Sequence, residues 1–235
     1  MAALQAPRKI SRRQELRQDA VVTLTAKAVN IFDERRTAVI GVLVAFVVMV
    51  IAFAGYKYYL VGQGDEATAR LGSIILTYER GLWEEALDGT AETIGLLEIA
   101  NRYGNTTEGN LARFYAADAL YRLDRKEESL KYFEAYDKDD NLLGAAAFAG
   151  EAAVNEDLGN EKRAAERYYQ AALVYENSLI SPEYLLSAAR NYEAVAEYSS
   201  ARAMYKLIET RFPDTGAAGG LDLYFARLDA LQGKL

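Results

Sequence analysis

The residue types that most often carry chemistry are thinly represented in this chain. Its 235 residues include no histidine and no cysteine, which removes the usual general base, every thiolate nucleophile, disulfides and nearly all zinc or haem ligation. Carboxylates remain. Asp137-Lys138-Asp139-Asp140-Asn141 begins like a calcium loop, with acidic groups at alternate positions, but Leu142 replaces the turn glycine and Phe148 the bidentate glutamate. It reads as a solvated turn between helices. Gly62-Gln63-Gly64 lacks the third glycine and the lysine of a phosphate-cradling loop. It reads as a flexible exit from the apolar run before it. Asn105-Thr106-Thr107 has the form of a glycosylation sequon, and capping of a helix explains the same polar side chains. Acidic pairs of the glycosidase kind arise here from composition alone. The expectation is a protein that is not an enzyme, with no catalytic, cofactor or metal site.

The elements that carry these residues are helical. Only three prolines occur, and alanine, leucine, glutamate and arginine are plentiful, so intrinsic propensity favours helix over most of the length. A composition 51% hydrophobic and 26% charged is that of a chain able to bury a core. Charge is unevenly distributed. The total is −7; residues 1–36 carry +4 and Lys57 adds +1, which leaves −12 for the rest. Such a surface repels a phosphate backbone, so no nucleic-acid partner is expected.

From Ala38 to Gly55 the chain runs without a charge, and residues 37–59 are expected to form a transmembrane helix. Tyr56, Tyr58 and Tyr59 stand where an interfacial aromatic belt would lie, while Arg35 and Arg36 mark the basic side. The positive-inside rule puts residues 1–36 in the cytoplasm and the rest outside it. A buried core helix would need a larger surrounding protein. The 36 preceding residues are too long for the basic region of a cleavable signal peptide, so a retained anchor is favoured although Ala52-Phe53-Ala54 has the form of a cleavage site. Gly41 and Ala45 form a small-xxx-small pair suited to helix packing in the bilayer. Residues 1–36 also hold an amphipathic helix, capped by Ser11, with Leu16, Ala20, Val21, Leu24, Ala28 and Ile31 on one face. That face suits the membrane interface or a partner helix equally.

After a linker at 60–66, residues 67–235 show a period. The clearest unit holds Phe148, Ala152, Leu158-Gly159, Ala164, Tyr168 and Ala171. A shift of about 35 residues toward the N-terminus meets Leu123-Asp124, Ser129 and Phe133; one of about 37 the other way meets Ala189, Tyr192, Ala201, Tyr205 and Pro213. A poorer unit spans 66–107, with Trp83 and the Asp88-Gly89 break suggesting a lengthened turn. Residues 221–231 look like the solvating cap helix that a terminal repeat needs.

These residues resemble the tetratricopeptide repeat, in which small, aromatic and small residues recur along a helix pair. The resemblance implies an α-solenoid of about four helix pairs, stacked in a right-handed superhelix whose concave face is lined by first helices. Its projecting positions would be Phe114, Asp118, Tyr121, Ala149, Ala153, Glu156, Arg190 and Glu193, with Phe114 and Tyr121 equally readable as core aromatics. The lysines and asparagines by which chaperone adaptors grip a carboxylate are absent from these places. In layout the chain is similar to a bacterial family of membrane-anchored repeat proteins that includes the YfgM-type ancillary subunit of the Sec translocon. That likeness implies an inner-membrane protein with a periplasmic domain, a scaffold whose partners are translocon subunits, periplasmic chaperones or exported polypeptides. The alternative is a structural accessory subunit of another membrane complex.

Overall fold

The structure is a computed structural model that describes residues 36–139 and 141–233. The expected amphipathic helix lies outside the described residues. Those described form ten α-helices, with one 3₁₀ turn at Gly216–Gly220 and an isolated bridge between Gly89 and Ile94. The helices are α1 (Arg36–Glu79), α2 (Trp83–Asp88), α3 (Leu96–Arg102), α4 (Thr107–Arg122), α5 (Lys126–Ala135), α6 (Leu142–Asp157), α7 (Glu161–Val174), α8 (Ser181–Ala194), α9 (Tyr198–Arg211) and α10 (Leu221–Leu231). Contacts divide the chain into one unit that ends at Tyr59 and a larger one that begins at Leu60.

The first unit is the apolar part of α1, a helix long and apolar enough to cross a membrane. Its side chains from Ile40 to Tyr59 are exposed, and no polar face breaks the run between Ala38 and Gly55. A helix apolar on every side requires an apolar surrounding. The linker expected at 60–66 is absent: those residues are helical and belong to α1. Gly62 and Gly64 weaken a helix by roughly 1 kcal/mol each relative to alanine but do not end one.

In the second unit the helices pack chiefly against their neighbours in sequence, except that α2 packs more on α4 than on α3, and α4 also touches α6. Local signals start the helices where the chain reverses. The Thr106 hydroxyl accepts from the Gly109 amide at 3.1 Å and the Asn141 side chain from the Gly144 amide at 2.8 Å, each satisfying a donor that the first turn leaves free. Pro182 sits in the first turn of α8, where its missing N–H costs nothing.

One turn recurs. Gly81, Asp124, Gly159, Ala196 and Gly233 all have left-handed backbones, with φ of 77°, 61°, 75°, 58° and 65°. In each the turn residue's N–H donates to the carbonyl three residues back, as from Gly159 to Glu156 at 3.0 Å and from Gly233 to Ala230 at 3.1 Å. In the first four the following N–H reaches five residues further back, as from Asn160 to Asn155 at 2.8 Å. This closes the helix end and reverses the chain within three residues, so the flanking helices run antiparallel.

Burial follows the turns. Seven residues before the first four stand Ile74, Ala117, Ala152 and Ala189; five residues after them stand Ala86, Ser129, Ala164 and Ala201. All eight are fully buried. The Ser129 hydroxyl donates to the Ala117 carbonyl at 2.8 Å, so the two positions face each other across the hairpin. All but Ile74 are small, which lets the helix backbones approach. Gly150 serves the same end between hairpins: a Cβ on it would run into the Phe133 ring. The unit at 66–107 departs from the pattern as its sequence suggested, its second helix broken into α2 and α3 around Gly89, whose φ is 92°. Trp83 opens α2 and is not part of the break.

Candidate functional site

Counted back from the turns, the eight residues expected to line a binding face fall at three equivalent positions on α4, α6 and α8. Ten residues before the turn stand Phe114 and Ala149; six before, Asp118, Ala153 and Arg190; three before, Tyr121, Glu156 and Glu193. Their environments differ. Phe114 belongs to the aromatic core between hairpins, its ring 6.0 Å from that of Phe133 and 5.7 Å from that of Tyr136. Asp118 accepts from the Tyr78 hydroxyl at 2.5 Å and from Arg122 Nε at 2.6 Å, while the Arg122 guanidinium lies 4.9 Å from the Trp83 ring centroid. Ala149 and Ala153 are half-buried, and Glu156 and Arg190 are exposed. Glu193 was expected to project and does not. It is buried, one carboxylate oxygen accepting from the Tyr205 hydroxyl at 2.7 Å and the other held by Arg227.

Three of the eight residues act on Tyr168, which the sequence marked as a packing position of the repeat and not as part of a binding face. The Tyr168 hydroxyl is pushed above its ordinary range, first by burial and then by the Glu156 carboxylate, with Tyr121 adding to the rise and Arg190 opposing it. Glu156, Tyr168 and Arg190 thus form a set, and Glu193, Tyr205 and Arg227 repeat it one hairpin later at the same spacings. Tyr205 is raised by the same causes: burial first, then its hydrogen bond to Glu193. In the second set the carboxylate is buried and closed; in the first, Glu156 and Arg190 remain open to solvent. The shift of 37 residues that relates them is legible in the sequence, whereas nothing local to Arg227 marks its partner 34 residues before it.

A second polar cluster lies deeper. Glu151 on α6 is 2% exposed, with Arg167 Nε of α7 2.5 Å from its Oε1 and Lys138 Nζ 3.5 Å from its Oε2. The Arg167 contact is ionic, without the alignment of a hydrogen bond. Lys138 also donates to the carbonyls of Phe133 at 2.6 Å and Tyr136 at 3.3 Å, closing the end of α5, and lies 5.2 Å from the Phe148 ring centroid. Burial lowers its pKa, against the pull of Glu151. These groups tie three helices together. The segment once compared with a calcium loop therefore gives its lysine to the core; its Asp140 lies outside the described residues. No cluster of acidic side chains suited to a metal ion occurs among the described residues.

No known family, curated protein or solved structure matches this chain. The half-open face of tyrosine, carboxylate and arginine can take part in hydrogen bonds, ion pairs and aromatic contacts with a second polypeptide.

Proposed function

We propose that the chain is a single-pass inner-membrane protein, its N-terminus in the cytoplasm and its helical domain in the periplasm, where that domain acts as a scaffold for other proteins. The observation that carries this reading is the union in one chain of an exposed, wholly apolar helix and a succession of hairpins built on one recurring turn. The first needs an apolar solvent. The second is the economy of repeat domains, in which each unit buries its apolar face on its neighbours and leaves long surfaces for binding. Hairpins recurring at intervals of 35 and 37 residues between Asp124 and Ala196 agree with a tetratricopeptide-type α-solenoid.

By that likeness the partners are translocon subunits, periplasmic chaperones or exported polypeptides, met near the Sec translocon. Affinity purification of the full chain in mild detergent is expected to recover them, and their consistent absence contradicts the reading. Removal of residues 1–60 separates scaffold from accessory subunit. A scaffold keeps its partners through the soluble domain; a subunit held by its anchor loses them.

A further inference from the structure

Nine residues after the turns at Asp124, Gly159 and Ala196 stand three rings, Phe133, Tyr168 and Tyr205; nine residues before the next turn stand Gly150, Ser187 and Tyr224. The second position lies against the first. Gly150 brings backbone onto the Phe133 ring and leaves no room for a Cβ. The Tyr224 ring stacks on that of Tyr205 with centroids 4.8 Å apart, and Phe225 meets it edge-on at 6.1 Å. Phe133 and Tyr205 are accordingly buried. Tyr168 is not. Ser187 and Ala188 stand where Tyr224 and Phe225 do in the next set, Tyr168 takes part in no ring pair among the described residues, and it stays partly exposed.

The charged groups differ in the same way. In the closed set Glu193 accepts from the Tyr205 hydroxyl and is held by Arg227. In the open set Arg190 Nη2 donates instead to Ser187 Oγ at 3.0 Å. Glu156 acts on the Tyr168 hydroxyl but has no ion-pair partner among the described residues.

We infer that the open set receives one aromatic side chain of a partner polypeptide, its ring against Tyr168 and a neighbouring lysine or arginine on Glu156. The closed set names the occupant. It holds what the open set lacks, a ring on the tyrosine and a guanidinium on the carboxylate, both supplied by one short segment that contains Tyr224 and Arg227. The −12 remainder of the chain favours a basic segment over an acidic one. The inference rests on the scaffold reading in taking the occupant to be a polypeptide. A ring pair contributes a factor of about two to ten, and an exposed ion pair up to about five. The site therefore selects one residue within a longer contact.

The full-length protein in mild detergent is titrated with the blocked peptide acetyl-Gly-Tyr-Gly-Arg-Gly-amide, and binding is followed by saturation transfer to the peptide's tyrosine ring protons. Ser187→Tyr is expected to supply the missing ring from within and to weaken binding on the order of tenfold. Glu156→Gln, at an exposed position, is expected to weaken it about threefold. Where circular dichroism shows Ser187→Tyr unfolded, Glu156→Gln and altered peptides decide. Equal affinity of the parent chain and the folded variants overturns the inference. So does equal affinity for a peptide with glutamate in place of arginine. Free tyrosine amide binding as tightly as the peptide assigns the site to a small aromatic molecule and overturns it too. The titration needs no cellular partner, so its outcome is separate from that of the purification. Cellular partners recovered equally well with Ser187→Tyr leave the scaffold standing and remove this site from it.

Discussion

Two of the five recurring turns place a residue other than glycine in the left-handed region, Asp124 and Ala196. An L-residue there costs about 1–2 kcal/mol, of which glycine recovers part after its own loss of chain entropy. Ala196→Gly is therefore expected to stabilise the protein by about 0.5–1 kcal/mol, a rise of roughly 1–4 °C in Tm for a domain of this size. Thermal unfolding followed by circular dichroism checks it; a fall in Tm contradicts it. Titration gives a second expectation. Tyr78, Tyr168 and Tyr205 are raised above the ordinary tyrosine value, chiefly by burial, and Tyr103, Tyr121, Tyr136, Tyr184 and Tyr192 follow for the same first reason. Folding favours their protonated form, so this stability is fully present below pH 10 and is lost as pH rises through the folded values. Lys138, lowered by burial, works in the opposite sense in the same range, but it is one group against eight tyrosines. No side chain has an ordinary pKa between the carboxylates and the tyrosines except the absent histidine and cysteine. Tm should be level from about pH 6 to 9 and fall above 10 together with the appearance of tyrosinate absorbance. At this scale the sequence was informative about small and aromatic residues, whose spacing reports packing. It was silent about which carboxylates are buried. Glu156 and Glu193 are the same residue at equivalent places, yet only the second meets an arginine that closes over it.

Among the elements, the cluster of Lys138, Glu151 and Arg167 joins α5, α6 and α7. Removing the central carboxylate leaves two cations with their partner gone, one of them, Lys138, largely buried. Breaking a buried ionic group in this way costs about 3 kcal/mol or more. Glu151→Ala is expected to lower Tm by roughly 6–12 °C, and a change under 2 °C would show that the cluster contributes little. The helices were largely foreseen because small residues, aromatics and caps recur together, and residues 221–231 form a helix with the expected bounds. Residues 60–66 continue α1 although Gly62 and Gly64 read locally as breaks. Inside a long helix, two glycines cost less than the neighbouring turns contribute. The core role of Lys138 was hidden for another reason: its neighbours Asp137, Asp139 and Asn141 all signal a solvated turn, and nothing local marks a long-range partner thirteen residues away at Glu151.

For the whole molecule, composition carried most of what could be known early. The absence of histidine and cysteine, an uninterrupted apolar run and a −12 remainder together direct attention to anchoring and protein contacts. The order of the hairpins was legible through their period, because each turn is set by residues close to it in sequence. Every functional statement rests on where the helical domain lies. Ser178→Cys, the sole cysteine in such a variant, decides this when intact spheroplasts are treated with a membrane-impermeant maleimide. Labelling in intact spheroplasts is predicted and agrees with the domain outside the cytoplasm; labelling only after lysis places it inside and contradicts the account.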